Sequence, residues 1–183
     1  MKLSNTAFAI VLGVIWLLLR ILWYALGLGK TGFHLGVLGN MLFLIVIPFR
    51  ALFLTRNHGD LGLFADVKEA LRPSVVYVVT ITGLIFVYYN FADPGYVEAL
   101  RAEAEQTLVA SVPDEASFTA MQKQDPALKG ITRDEYLERS RAGLNTIYSP
   151  GLQTTFSLVA LSIVAAVYGL VITVFFRRLY RRM

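Results

Sequence analysis

Four stretches of this chain carry no Asp, Glu, Lys or Arg: Leu3 to Leu19, Thr31 to Phe49, Pro73 to Ala92 and Ala142 to Phe176. A helix crosses the hydrocarbon core of a bilayer with about 20 residues, because each adds about 1.5 Å to a slab about 30 Å thick. Within the runs, apolar residues stand at consecutive positions, as in Val75-Val76-Tyr77-Val78-Val79 and Leu42-Phe43-Leu44-Ile45-Val46-Ile47. Strands of an outer-membrane barrel would instead alternate polar and apolar over about 10 residues. Backbone groups in lipid must find their partners internally, so uniformly apolar runs are helices. The pattern predicts spans at about 6–26, 32–54, 73–91 and 151–176.

Between the spans the pattern changes. Gly27-Leu28-Gly29-Lys30 predicts a tight turn, with span two starting near Gly32. Pro48 lies near the end of span two, where it would kink or stop the helix. In 55–72, Asp60 reads as a cap and Phe64, Val67 and Leu71 fall on one face. That segment is expected to be amphipathic and to lie at the membrane surface. Pro73 then opens span three. In 92–150, Val97, Leu100, Ala104 and Leu108 recur at helical spacing. Asp114 starts a shorter helix with Phe118 and Met121. Thr132-Arg133-Asp134-Glu135 is a capping box, and Ser149-Pro150 supplies a cap and a first-turn proline for span four. The fold class expected is therefore an all-α membrane protein. It is a four-transmembrane-helix bundle with a small extracytoplasmic helical insert between spans three and four.

Charge adds an orientation. Lys2, the group Arg50, Arg56, Lys68 and Arg72, and the group Arg177, Arg178, Arg181 and Arg182 fall on one side of the spans, against Lys30 alone in the first turn. Positive residues stay inside, which puts both ends and the 55–72 segment in the cytoplasm. The insert 92–150 holds ten acidic and six basic residues, in a chain whose net charge is +4. It is expected to be periplasmic. Trp23, Tyr24, Phe33, Tyr88, Tyr89, Phe91 and Tyr148 would form the outer aromatic belt, and Phe49, Phe53, Phe175, Phe176 and Tyr180 the inner one. The N-terminal apolar run lacks a small-x-small cleavage site and is read as an uncleaved first span.

Composition narrows the chemistry. With 56% hydrophobic residues and a mean hydropathy of +0.57, too little polar surface remains for a soluble domain. No cysteine is present, so thiolate metal sites, disulfides and cysteine nucleophiles are excluded. The pI of about 9.4 comes from arginines beside spans, where anionic headgroups are the natural partner; nucleic acid is not. Gly29-Lys30-Thr31 ends like a phosphate-binding loop, but Tyr24 stands where that motif needs its first glycine. His34 and His58 fall on opposite membrane faces and cannot share a metal. No cofactor or metal is expected, and no catalytic constellation of the hydrolase or metalloprotease kind appears.

Three sets of span residues remain. Arg20, Asn40, Arg50 and Asn90 would line a polar path or meet lipid headgroups. Arg20 and Arg50 lie within a turn or two of a span end, so both are read as snorkelling. Gly32 with Gly36, and Ala165 with Gly169, are small-xxx-small pairs. Ser162, Ala166, Gly169 and Thr173 are assigned to one face of span four, for packing within the bundle or against a partner. No Asp or Glu occurs in any span, so a carboxylate proton relay has no residues to use.

Gly59 through Pro73, Tyr88-Tyr89-Asn90-Phe91 with the following insert, and Tyr148-Ser149-Pro150 through Arg177-Arg178 resemble the domain of unknown function 4199 family of Bacteroidota membrane proteins. The resemblance covers most of the chain. It implies a four-span protein of a bacterial inner membrane and brings no activity, ligand or catalytic residue with it. The sequence thus points to a non-catalytic integral inner-membrane protein, an accessory or structural subunit of a membrane protein complex. Its partners would be membrane lipids and other integral membrane proteins, or a second copy of itself. The alternatives are a small oligomeric transporter or channel and, behind it, an intramembrane enzyme acting on lipid.

Overall fold

A computed structural model describes residues 3–55 and 62–180. Those residues contain helices and no strand. Lys2, Arg56, His58, Asp60, Arg181 and Arg182, and the side chains of Lys30 and Tyr180, lie outside the described set. Four helices are long and apolar enough to cross a membrane. They are α1 (Asn5–Ala25), α2 (Gly29–Thr55), α3 (Leu63–Val87, prolonged by a π-helical turn at Tyr88–Ala92) and α7 (Pro150–Tyr180). The protein is an all-α membrane bundle. Residues 1–92 and 154–183 form one compact unit, and residues 93–153 form a second.

Each end of α1 has a local cause. The Ser4 hydroxyl accepts from the Ala7 amide at 3.1 Å, meeting one of the orphan donors of the first turn. At the other end Gly27 adopts φ 73°, which lets the Leu28 amide reach the Trp23 carbonyl at 2.9 Å and the Gly27 amide reach Tyr24 at 3.0 Å. This double closure satisfies two orphan carbonyls and needs a residue without a Cβ. The connection is shorter than the sequence suggests, because α2 already begins at Gly29.

α2 runs through Pro48 to Thr55, close to the expected end of span two, whereas α3 does not open at Pro73 but runs through it from Leu63. Residues 63–72 are therefore the first turns of α3, not a separate surface segment. A proline removes one amide hydrogen bond but keeps a helical φ, and neighbouring helices make that loss tolerable in a membrane bundle. Phe64 is nevertheless 90% exposed, while Ala70 is wholly buried. The extended helix has its own anchor: Asp66 pairs with Arg177 near the end of α7.

Burial follows helical spacing on every span. The inward faces are Ala9, Leu12, Gly13, Trp16 and Arg20 on α1, and Asn40, Leu44, Ile47 and Ala51 on α2. On α3 they are Tyr77, Val78, Ile81 and Ile85, and on α7 Leu161, Ala165, Thr173 and Phe176. α1, α2 and α3 pack closely on one another; a Cβ on Gly13 would stand 3.1 Å from Thr80 Cγ2. α7 is held by fewer contacts. Tyr168 reaches Met41, Phe176 meets Phe49 edge-on at 5.8 Å, and Gly169 lies against Leu71. The buried share of its most apolar stretch is 22%, against 28% for α1, 33% for α2 and 44% for α3. The outward Leu, Val and Ile of all four spans are the surface that lipid covers.

The second unit is a set of three short helices, α4 (Pro94–Ser111), α5 (Glu115–Gln124) and α6 (Arg133–Ile147), built around Val97, Val112, Phe118 and Leu137. A core this small leans on polar ties. Arg133 donates through Nε to the Val112 carbonyl at 2.9 Å and through Nη2 to Pro113 at 3.1 Å. Gln122 bridges the Leu128 and Ile131 carbonyls, and Arg141 pairs with Glu105 at 2.7 Å. Thr132 Oγ1 accepts from the Glu135 amide at 3.2 Å, as the capping box requires.

Asp114 Oδ1 accepts from the Ser117 amide at 2.8 Å, and this bond to the ionised form holds its pKa below the ordinary aspartate value. A depressed acid stabilises the fold above its unfolded pKa and loses that contribution as pH falls through the folded one. The start of α5 should therefore stay capped from neutral pH down past about 4, the usual aspartate value. Carbon-13 NMR titration of Asp114 should give a midpoint below that value; a midpoint at or above it would contradict the cap.

Candidate functional site

Antiparallel packing of α1 and α2 sets residue 16 against 36 and residue 20 against 32. The two large side chains Trp16 and Arg20 thereby face the two glycines. A Cβ on Gly36 would stand 3.0 Å from Arg20 Cδ and 3.4 Å from Trp16 Nε1. One on Gly32 would stand 3.3 Å from Arg20 Nη1 and 3.0 Å from Trp23 Cβ. The missing side chains of α2 are the space that the indole and guanidinium occupy. Trp16 Nε1 donates to the Gly36 carbonyl at 2.9 Å, which fixes the indole.

The third wall comes from the π-helical turn of α3. It places Tyr88, 1% exposed, so that the Arg20 guanidinium carbon lies 4.7 Å from its ring centre and 5.9 Å from that of Trp16. Trp16 and Tyr88 meet edge-on at 6.4 Å, and Tyr89 packs edge-on against Tyr88 at 5.2 Å. A π turn costs hydrogen-bond geometry and is common where a helix must present a side chain for function.

Arg20 itself is 2% exposed, and no protein group accepts from its Nε or Nη2. The reading of Arg20 as a snorkelling residue is corrected: the side chain folds into the bundle. A guanidinium offers five donors and no acceptor, so its charge has to be met by its neighbours. Burying an ion costs several kcal/mol, and cation–π contacts return about 0.5–2 kcal/mol each. Two aromatic rings leave much of that cost unmet. This is the one place among the described residues where a buried side-chain charge has no acceptor.

Asn40, Arg50 and Asn90 each have a hydrogen-bond partner within the protein. Tyr77 donates its hydroxyl to Asn40 Oδ1 at 2.6 Å, joining α2 to α3 with both residues buried. Such bonds contribute about 0.6 kcal/mol on average in membrane bundles and at most about 1.7. Tyr77→Phe and Asn40→Leu should each destabilise the bundle, and a double-mutant cycle of unfolding in mixed micelles should give a coupling near 1 kcal/mol. Strict additivity would mean that the bond contributes nothing.

Arg50 ties the start of α1 to α2. It donates to the Leu3 carbonyl at 2.8 Å and to Asn5 Oδ1, with its guanidinium carbon 4.5 Å from the Phe8 ring centre. Asn90 donates to the Phe86 carbonyl of its own helix at 2.7 Å. Arg20, Asn40, Arg50 and Asn90 therefore do not form one path. Arg20 lies about 22 Å along α1 from Asn5, to which Arg50 binds.

On α7 the proposed single face divides. Ala165, Gly169 and Thr173 are buried, and the Thr173 hydroxyl donates to the Gly169 carbonyl at 2.7 Å. Ser162 and Ala166 are exposed, although Ser162 lies within about 20° of both Gly169 and Thr173 around an ideal helix. Gly32 and Gly36 are buried against α1 of the same chain. His34 is exposed, edge-on to Phe33 at 5.6 Å, and about 200° round α2 from either glycine. It is not part of the Arg20 site.

The family described as a protein of unknown function, DUF4199, matches residues 7–178, and the chain belongs to it. No curated protein and no solved structure matches the chain.

Proposed function

We propose that this member of the DUF4199 family is a non-catalytic accessory or structural subunit of an inner-membrane complex, with both ends cytoplasmic and 92–150 periplasmic. The observation that carries the reading is the thin cover on α7, whose most apolar stretch is 22% buried, against 28% for α1, 33% for α2 and 44% for α3. α1, α2 and α3 bury their polar side chains against one another, while α7 adds a long helix that this chain covers thinly. A lone bundle gains little from such a helix, whereas a partner in the bilayer would pack on it. The absence of acidic residues from the charge-free runs argues in the same direction, against ion-coupled transport.

Purification in mild detergent from native membranes, followed by native mass spectrometry, tests this. Copies of another integral membrane protein, or of this chain, at fixed stoichiometry are expected. A strictly solitary chain at native expression would contradict it. A transporter or channel is the second reading, favoured only by the unpaired Arg20. Flux through reconstituted protein that survives both Arg20→Leu and Asn40→Leu would remove it.

A further inference from the structure

Arg20 leaves two particular donors unused. Nε and Nη2 form the side-on edge of the guanidinium, with two N–H bonds that point the same way. That fork matches the spacing of two oxygens on one phosphate or carboxylate. The guanidinium carbon lies near the Tyr88 and Trp16 rings, 4.7 Å and 5.9 Å from their centres. Nη1 lies toward Gly32, whose missing side chain leaves it room. The guanidinium thus sits beside two aromatic rings while its bidentate edge has no protein acceptor.

Nothing within the spans can neutralise it. None of the charge-free runs contains a carboxylate, and Asp66, at the beginning of α3, pairs with Arg177. Asp66 is also 22 residues along α3 from Tyr88, about 33 Å. Asp93, the first carboxylate after Tyr88, is the cap of α4 and accepts from the Tyr96 amide at 3.2 Å, so an oxyanion from outside the chain is the partner the free edge of Arg20 suits. Arg20 stands five residues before the end of α1, about 7.5 Å along the axis. An extended arginine side chain and a headgroup phosphate together span that depth.

We propose that Arg20 is a phosphate receptor, whose Nε–H and Nη2–H clasp two oxygens of one phosphate group once the guanidinium turns out from beside the Tyr88 and Trp16 rings. The site is independent of the accessory role and would exist in a solitary chain. Both donors are covered in the closed arrangement, so the phosphate is reached by an outward turn of the guanidinium. The ligand is the phosphate of an anionic phospholipid or free phosphate, and the two are separable.

The experiment uses the full chain in mild detergent. Native mass spectrometry follows titration with phosphatidylglycerol, and thermal unfolding follows titration with inorganic phosphate. Arg20→Gln removes the fork, and Arg20→Lys keeps a charge while losing bidentate geometry. Lipid binding at one equivalent, weakened at least tenfold in Arg20→Gln and less in Arg20→Lys, identifies phospholipid as the source. A phosphate-dependent rise in Tm that only wild type shows identifies free phosphate. Should Arg20→Gln fail to fold, the wild-type Arg20 Nε–H resonance decides, since it must move downfield on adding the ligand. Binding equal in wild type and Arg20→Lys with no movement of that resonance, or no response to either ligand, overturns the proposal.

Discussion

Gly36→Leu should make the bundle unfold far more readily than the wild type does. A Cβ there already meets Arg20 Cδ at 3.0 Å and Trp16 Nε1 at 3.4 Å, so three further carbons have no space. Overpacking costs about 1–3 kcal/mol, and driving α1 away also removes the indole bond to the Gly36 carbonyl, worth about 1 kcal/mol. The loss should total about 3 kcal/mol, read as reversible unfolding in mixed micelles. Gly83→Leu is the control. Nothing lies within 4 Å of a Cβ at that position, so it should cost less than about 1 kcal/mol. Equal stability of the two variants would mean that α1 and α2 do not approach as described.

Gly169→Leu should separate α7 from the other spans. The position of its Cβ is taken by the end of Leu71. Leu71 is flexible enough to admit a methyl, so Gly169→Ala should cost little. An isobutyl group needs the helix itself to move. The neighbouring ties are few, namely Arg177 to Asp66, Phe176 to Phe49 and Tyr168 to Met41. Displacement should therefore cost about 1–3 kcal/mol and expose the α3–α7 seam. Cysteine pairs placed at Asp66 and Arg177 should cross-link in an otherwise wild-type chain and fail to do so with Gly169→Leu. Ala166→Leu, on the exposed side of the same helix, should leave cross-linking unchanged. If Gly169→Leu cross-links normally, α7 does not use this glycine to dock.

The spans were readable because charge in lipid is expensive, so four charge-free runs stand out without any knowledge of packing. The caps at Asp114, Thr132 and Ser149 were readable for a related reason: each depends only on residues three or fewer positions apart. Pro73 does not open span three, since a breaker rule learned in water weighs less where neighbouring helices support the backbone. The Arg20 site was half visible. Arg20, Gly32 and Gly36 each stood out, but their meeting depends on the register of α1 against α2, which hydropathy does not set. One signal could have found it: Trp16 and Arg20 are four apart, Gly32 and Gly36 are four apart, and the short turn between the helices brings the pairs face to face. Tyr88 was assigned to the aromatic belt because the π turn that swings it inward leaves no mark in the sequence.

The central claim is that the chain crosses the bilayer four times, with both ends on one side and the insert on the other. The absence of native cysteine makes this directly measurable. Single cysteines at Ser4, Glu115 and Leu179 would be treated with a membrane-impermeant maleimide on intact cells and again after lysis. Glu115→Cys should react in intact cells, and Ser4→Cys and Leu179→Cys only after lysis. Labelling of either terminus from outside, or a Glu115→Cys protected until lysis, would contradict it.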